Sequence, residues 1–186
     1  MIILTLSFFT AAMPSPARAD SQPTPEYQVK AAFLYNFVKF VQWPDEKLAD
    51  SNDVITIAVI GNHKFGNAFE SVKGKKVRDK KIIVTFFPRF DNTEDKNALK
   101  KCHLLFICPS EKHHLNDIIE IAGKANILTV ADMNGFIDDG GIIQFIMQNK
   151  KVRFQINLSA AKRAKLKIRS QLLRLAKKVV EEKSSK

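Results

Sequence analysis

The sequence predicts a single α/β domain: a mostly parallel β-sheet flanked by helices on both faces, with a C-terminal antiparallel hairpin. Between residues 54 and 132, short and nearly continuous apolar stretches alternate with amphipathic ones, which is typical of parallel strands buried on both sides. Farther along, apolar and polar residues alternate in "VRFQINL", the pattern of an antiparallel strand with one polar face. A chain of 186 residues is long enough for one such domain.

Residues 1–19 differ in kind from the rest of the chain. "MIILTLSFFTAAMPSPARA" combines an apolar run with an Ala-x-Ala end, which predicts a secretory signal peptide, cleaved after Ala19, and export to the periplasm. No Lys or Arg precedes the apolar run, which indicates either a true start upstream of Met1 or a weak signal. An uncleaved N-terminal anchor is the alternative interpretation of this segment. We expect a loose leader over 20–24, the folded domain over 25–182 and a tail over 183–186.

Helices and strands follow from the pattern in chain order. An aromatic helix runs from about 25 to 41 and is ended by Trp43-Pro44. Apolar strands and polar or amphipathic segments then alternate up to residue 132. We predict strands over 54–61, 80–87, 102–108 and 126–132, a short helix over 64–74, a loop or helix over 91–101, and a helix over 110–124 with Ser110 as its N-cap.

The last part of the chain changes character. Turn residues "GFIDDGG" lead into a hairpin that turns near Asn149-Lys150. A short helix capped by Ser159, an extended "LKI" and a second helix, capped by Ser170 and reaching about residue 182, complete the domain. From Ser159 onward there are ten Lys or Arg and two Glu, forming either a solvated face over an apolar stripe or a contact for anionic lipid or an acidic partner. The stripe consists of Leu172, Leu173, Ala176, Val179 and Val180.

The formal net charge of +11 points to an acidic partner. Removal of residues 1–19 takes away one positive charge, Arg18, and leaves +10. Because the protein is expected to be exported, we predict no nucleic-acid partner. Anionic lipid headgroups and acidic protein surfaces are the classes of partner that fit this charge.

One loop has the spacing of a phosphate-binding loop but lacks its chemistry. Gly61 and Gly66 are placed as in such a loop, whereas Asn67 and Ala68 stand where Lys and Ser or Thr would hold phosphate and magnesium. No serine lies between glycines as in a nucleophile elbow, and the four histidines lack the i, i+4 spacing of a metal-binding pair. We therefore predict no catalytic residue, no metal and no cofactor, and a protein that is not an enzyme.

The two cysteines, Cys102 and Cys108, border the third predicted strand. Six residue steps along a strand span roughly 20 Å, whereas a disulfide needs Cα atoms within about 7 Å of each other. We expect no disulfide between them and two free, buried thiols. A sensing role for these thiols belongs to an alternative interpretation, in which the protein is a periplasmic small-molecule or redox sensor domain.

The aromatic helix is apolar on more than one side. One stripe, which contains Phe37, is expected to cover a face of the sheet. The other stripe is either buried as well or forms a surface for a partner or a second copy of the chain, since exposed apolar patches mark such contacts. This candidate surface consists of Leu34, Tyr35, Val38, Val41 and Trp43.

Five segments occur here in the order seen in the YfiR-like family: "VKAAFLYNFVKFVQWP", "IGNHKFG", "CHLLFI", "LTVADMNGFIDDGGIIQF" and "RFQINLSAAKRAKLKIRSQLLRLAKKV". The chain resembles this family from about residue 25 to 180. It departs from the pattern at Lys165, where glycine is expected, and at Arg169, where serine is common. YfiR-like proteins are exported bacterial proteins and are typically periplasmic.

The resemblance implies an α/β sheet sandwich, a tendency to form homodimers, and no catalytic residues. It also implies a repressor that binds the periplasmic part of an inner-membrane diguanylate cyclase or sensor kinase. By restraining a cyclase, such a protein lowers cyclic di-GMP and biofilm formation. In the family an outer-membrane lipoprotein sequesters the repressor, which makes such a lipoprotein another implied partner. No disulfide is carried over, because the cysteine arrangement differs from that of members that use one.

Overall fold

An eight-stranded sheet runs through the centre of the protein in the computed structural model, which describes residues 24–49, 51–91 and 93–181. The predicted signal peptide, most of the predicted leader and the predicted tail lie outside these residues. The elements in chain order are α1 (Pro25–Phe40), β1 (Val41–Gln42), α2 (Asp45–Ala49), β2 (Val54–Ile60), β3 (Lys76–Val77), β4 (Lys80–Phe87), α3 (Thr93–Lys100), β5 (Leu104–Ile107), a 3-10 helix (Pro109–His114), α4 (Leu115–Lys124), β6 (Leu128–Ala131), β7 (Ile143–Gln148), β8 (Lys151–Asn157), α5 (Leu158–Arg163), β9 (Lys167–Ile168), α6 (Ser170–Leu175) and β10 (Lys178–Val180).

The strands of the sheet lie in the order β10-β8-β7-β6-β5-β2-β4-β3. From β4 to β7 all neighbouring strands are parallel, as their continuous apolar sequences predict. β7 and β8 form the antiparallel hairpin. Its turn residues, Asn149 (φ 51°) and Lys150 (φ 58°), both adopt the left-handed conformation that a two-residue type I′ turn requires. The predicted fold class is confirmed.

Alternate residues of the central strands point to opposite faces of the sheet and pack into two separate cores. On one face, Ile55 and Ile57 of β2 belong to a cluster that also contains residues of α1, α5 and α6. On the other face, Ala58 and Ile60 pack in a cluster with residues of α3 and α4. Helices therefore cover both faces. α1 contacts both the sheet, at β8, and α6.

The helix predicted over 64–74 is wrong, because most of this segment forms a series of turns. Its hydrogen bonds mostly join residues three apart, as from Ala68 N to Phe65 O (2.8 Å). Gly66 has a positive φ of 48°, a conformation that a regular helix does not contain. The turns bury Phe65 and Phe69 in the same core as α1.

The second C-terminal helix is shorter than predicted. α6 ends at Leu175, and the chain continues as β10, which pairs in parallel with β8. Lys177 N donates to Phe154 O (2.8 Å), and the β-branched pair Val179-Val180 suits a strand. The prediction of a helix reaching residue 182 is wrong, because the edge of the sheet offers hydrogen bonds that compete with those of a helix.

The apolar stripe predicted for that helix is not formed. Leu172 is buried, whereas Val179 is 41% exposed. Since β10 is a strand, the five stripe residues do not share one helical face. The basic C-terminal stretch therefore covers no continuous apolar stripe.

None of the three serines predicted as N-caps caps its helix in the structure. Asn157, and not Ser159, caps α5, because its Oδ1 accepts a hydrogen bond from Ala160 N (2.8 Å). Ser170 is the first residue of α6 and not its cap. Ser110 lies inside the 3-10 helix, where its hydroxyl contacts a different loop, as described below.

Two residues after the end of α5, Lys165 adopts the left-handed conformation (φ 54°). Leu166 N donates to Ala161 O (2.9 Å), and Lys165 N donates to Lys162 O (2.9 Å). These two hydrogen bonds form the pattern of a Schellman C-cap. Glycine suits this position because it carries no Cβ. This is the physical basis for the glycine that the sequence pattern led us to expect here.

We expect Lys165→Gly to raise the free energy of unfolding by about 1 kcal/mol, because it removes the steric cost of a left-handed side-chain-bearing residue. Lys165→Ala is the matched control, since it removes the same charge but keeps the Cβ and should give no gain. Urea unfolding followed by circular dichroism measures both. An equal stabilisation by the two variants would show that charge, and not backbone conformation, is responsible.

Candidate functional site

The predicted partner surface on the aromatic helix lies mostly inside the domain. Leu34, Val38 and Val41 are fully buried, and Trp43 is 5% exposed. Tyr35 is half-buried, with the ammonium groups of Lys39 and Lys75 within 5.6 Å and 5.5 Å of its ring centroid. Of the five residues, Tyr35 is the one that offers accessible surface in this fold. Most of both stripes of α1 is buried, because the helix contacts the sheet and α6 together, whereas Val29 in its first half is 43% exposed.

A buried group of charged side chains ties α1 to the carboxyl end of β6. Lys30 is 3% exposed, and its Nζ lies 2.6 Å from Asp132 Oδ2 and 2.5 Å from Glu26 Oε1. The Tyr27 hydroxyl donates to the same Asp132 oxygen (3.1 Å). Burial, followed by the negative charge of Asp132, raises the pKa of Tyr27. We call these four residues the Lys30 cluster.

The Lys30 cluster borders a cavity of about 330 Å³ at the carboxyl edge of the sheet. Asp132 Oδ1 is buried and accepts no hydrogen bond from the described part of the chain. Sequence reasoning missed this cluster. Its one signal in the sequence is Lys30, which stands among apolar residues of the helix and so implies a carboxylate partner without showing where that partner lies.

The position where the strand order reverses, between β2 and β5, is a common ligand site in parallel α/β sheets. Here the protein's own groups fill it. Ser110 Oγ accepts from Asn62 N (2.9 Å) and donates to Glu111 Oε1 (3.1 Å), and Glu111 Oε2 accepts from Phe90 N (3.0 Å). A Cβ on Gly61 would lie only 2.4 Å from Ser110 Oγ, so this glycine allows the loops to close together.

A second cavity, of about 670 Å³, is open to ligands and strongly basic. It lies where β1 and α2, the turn between β3 and β4, and the segment around β9 meet. Arg78 Nη2 donates to Val41 O (2.7 Å), which holds the guanidinium at the cavity. Burial and the neighbouring Arg169 lower the pKa of Arg78. We call this the basic cavity; its charged lining residues are one carboxylate, Asp45, and four cations, Arg78, Lys165, Lys167 and Arg169.

The two cysteines are free and buried in the structure. Burial raises the pKa of Cys102 to about 12. Burial, together with the negative charges of Asp132 and Glu111, raises the pKa of Cys108 to about 12 as well. Because the thiolate is the reactive form, both thiols are poorly reactive at neutral pH, which counts against the redox form of the sensor hypothesis.

His103, at the start of β5, is buried in its neutral form. Its Nδ1 accepts from Thr56 N (3.2 Å), and its ring stands edge-on to Trp43 with the centroids 5.9 Å apart. Burial, assisted by the positive charge of Lys47, lowers the pKa of His103 from 6.5 to about 4. The folded protein therefore resists protonation of this imidazole.

We predict that His103 makes the protein less stable in acid. Between pH 6.5 and about 4 the unfolded chain protonates this histidine while the folded chain does not, so the free energy of unfolding decreases as the pH falls. The loss by pH 4 is roughly 3 kcal/mol. His103→Asn keeps an acceptor for Thr56 N but does not titrate. In urea unfolding across this pH range, the variant should lose less stability than the wild type; parallel curves would contradict the prediction.

Within the described ranges, no group of three or more His, Cys, Asp or Glu side chains is arranged to hold a metal ion. In the same part of the chain, none of the helices has the length and apolar character needed to cross a bilayer.

The fold and these surfaces define the class of the protein: a mostly parallel α/β domain covered by helices on both faces, with a closed switch point and an accessible basic cavity. The chain belongs to the YfiR/HmsC-like family, whose model matches residues 27–177. The predicted family is confirmed.

Two solved structures share the fold at low sequence identity. A conserved domain protein from Vibrio cholerae O1 biovar El Tor has a TM-score of 0.53 and 12% identity, over 84% of this chain and 60% of that one. The ABC domain in complex with L-Trp from Streptococcus pneumoniae has a TM-score of 0.52 and 10% identity, over 81% of this chain and 60% of that one. This chain thus spans about 60% of the length of either structure. Among curated proteins, none matches it in sequence.

Proposed function

We propose that this protein is an exported, non-catalytic regulator that binds the periplasmic part of an inner-membrane signalling protein and restrains it. The family match over residues 27–177 carries the proposal. The partner we propose is a diguanylate cyclase, with a sensor kinase as the other candidate of the same kind. Restraint of a cyclase lowers cyclic di-GMP and thereby biofilm formation. A homodimer and an outer-membrane lipoprotein that sequesters the regulator complete the proposed set of interactions.

The charge of the protein supports this proposal. A formal net charge of +11 favours an acidic protein surface and draws the protein toward anionic headgroups. The basic cavity and the lysines beside β4 place much of this charge on accessible surface. This distribution of positive charge suits a protein that binds a membrane-anchored partner close to the membrane surface.

The proposal is tested by co-purification and by cyclic di-GMP measurement. The full chain is expressed with the periplasmic domain of the membrane cyclase or kinase encoded beside its gene, and the tagged domain is recovered from the periplasm. We expect the protein to co-purify and its deletion to raise cellular cyclic di-GMP. A chain without residues 1–19 is the control, because it should remain in the cytosol and restore nothing. Unchanged cyclic di-GMP on deletion, together with no recovered complex, would refute the cyclase assignment.

A second candidate function is sensing of an anionic small molecule, and the basic cavity favours it. Four cations and one carboxylate, Asp45, line this space of about 670 Å³, so positive charge is in excess and a bound anion would reduce the repulsion between the cations. The expected result is a rise in melting temperature with small carboxylates or phosphate that disappears in Arg78→Ala. Lys101→Ala, a change of an exposed cation outside this cavity, is the control. Equal shifts in both variants would mean that the anion acts through general screening.

A further inference from the structure

β4 lies near one edge of the sheet, and only its first part has a strand neighbour on the outer side. β3 pairs with Lys80 and Lys81 alone. One residue farther along, Ile82 N donates to Lys75 O (2.8 Å) and Ile82 O accepts from Gly74 N (3.1 Å). Beyond Ile82 no strand from residues 24–49, 51–91 or 93–181 pairs with the outer side of β4.

The direction of the remaining peptide groups follows from strand geometry. Lys81 N donates to Asp53 O and Phe87 O accepts from Gly61 N, so these odd-numbered residues face β2. Even-numbered residues face the other way, as Ile82 shows, because peptide groups alternate sides along a strand. The N–H and C=O groups of Val84 and Phe86 therefore point away from the sheet. Within the described residues, no hydrogen-bond partner reaches these four groups.

The side chains along this edge are apolar and accessible. Ile83 is 40% exposed and Phe86 is 42% exposed, and they lie on opposite faces of the strand. Phe86 is held in place by His63, whose ring stacks on it with centroids 4.4 Å apart. An added strand would find backbone groups to pair with and an apolar contact on each face.

The surroundings of the edge are strongly basic. The segment "KGKKVRDKK" (73–81), which contains β3 and leads into β4, holds six Lys or Arg and one Asp. Lys75 and Lys76 in it are exposed. Natural sheet edges use lysines to prevent pairing with another copy of the same edge. The charge thus disfavours a second copy as the occupant and favours an acidic strand.

We propose that the free edge of β4 accepts an extended, acidic segment of the signalling partner as an additional strand. This deepens the proposed function and rests on it for the identity of the partner. Backbone pairing with Val84 and Phe86 supplies affinity, Ile83 and Phe86 contact apolar side chains of the added strand, and Lys75 and Lys76 select for carboxylates. We call this surface the β4 edge.

The test uses two probes with the full chain: the partner's periplasmic domain, and an eight-residue peptide of alternating Glu and Val. Val84→Pro removes an outward N–H that has no hydrogen-bond partner in the described part of the chain, and proline is tolerated at edge positions. It should weaken binding of both probes by at least about tenfold. Val84→Thr keeps the N–H and the β-branched shape, so it should bind within about twofold of the wild type. Hydrogen exchange should show protection of the Val84 and Phe86 amides on peptide binding.

A second variant keeps the proposal testable if Val84→Pro fails to fold. Lys75→Glu with Lys76→Glu alters exposed side chains only, and should weaken binding of the acidic peptide while a peptide of alternating Lys and Val gains affinity. Thermal melting of each variant verifies folding. Equal binding by Val84→Pro and wild type, or peptide binding without protection of these amides, would overturn the proposal.

The two proposals fail in different ways. If Val84→Pro still binds the periplasmic domain as the wild type does, the β4 edge is wrong and the proposed function stands. A different result is that the wild type does not bind that domain, while the Glu-Val peptide protects the Val84 and Phe86 amides from exchange. The proposed partner is then wrong, but the proposal that the β4 edge binds an acidic strand is retained. A dimer that Val84→Pro dissociates, seen by sedimentation, would show that a second copy occupies the edge and would overturn the proposal.

Discussion

Replacement of Phe37 by alanine should lower the free energy of unfolding by about 3–5 kcal/mol. Phe37 is fully buried near the C-terminal end of α1. Its ring lies 5.7 Å from that of Phe145 and 5.1 Å from that of Phe154, which are on the two strands of the hairpin. Truncation removes these contacts and leaves a cavity between helix and sheet that the surrounding rings cannot fill without leaving their rotamers.

The control for this prediction lies on the same helix. Val29 is 43% exposed, so Val29→Ala should change stability by no more than about 0.5 kcal/mol. Chemical unfolding of both variants measures the difference. A Phe37→Ala protein that unfolds like the wild type but no longer binds its partner would show that this ring acts at an interface and not in the core.

The parallel part of the sheet could be predicted because each of its strands carries its own signal. "VITIAVIG" was expected to be a strand over 54–61, and β2 spans Val54–Ile60; the strand predicted over 80–87 has those bounds in the structure. Strands buried on both faces must be apolar at nearly every position, so their sequence shows their limits without knowledge of their neighbours. The hairpin could be predicted for the related reason that its second strand has one apolar face.

The elements that could not be predicted depend on partners distant in the chain. β10 forms a strand because the edge of β8 offers it hydrogen bonds, whereas its local sequence continues the pattern of the preceding helix. Segment 64–74 has helix-forming residues, yet tertiary burial of its phenylalanines fixes it as turns. Local propensity is a weak guide wherever such tertiary contacts compete with it.

The candidate surface on α1 shows the same limit for function. Periodicity identified two apolar stripes on the helix, but it could not show that most residues of both would be covered from within the chain. Val38 is buried for that reason, and Tyr35 is the accessible member of the set. The β4 edge could not be predicted from the sequence, because an apolar strand has the same residue pattern whether one or both of its sides are hydrogen-bonded to other strands.

Replacement of Asp132 by leucine should destabilise the protein by about 3–5 kcal/mol, because it leaves the Lys30 ammonium buried with only Glu26 as an anionic partner. Lys30 and Asp132 are 102 residues apart in the chain, so their bond joins the start of α1 to the carboxyl end of β6. Lys30→Met should have a cost of the same order, since it leaves the Asp132 carboxylate buried beside Tyr27 without a cation.

The double variant, Lys30→Met with Asp132→Leu, distinguishes the charge from the packing. It removes both buried charges and replaces them with apolar side chains of similar length, so it should be more stable than either single variant. Urea unfolding of the four proteins gives the coupling energy, which we expect to be at least about 2 kcal/mol. Additive losses would mean that the two side chains stabilise the protein independently. A large coupling would establish that the ion pair fixes the first turns of α1 on the sheet, which positions the rest of that helix between the sheet and α6.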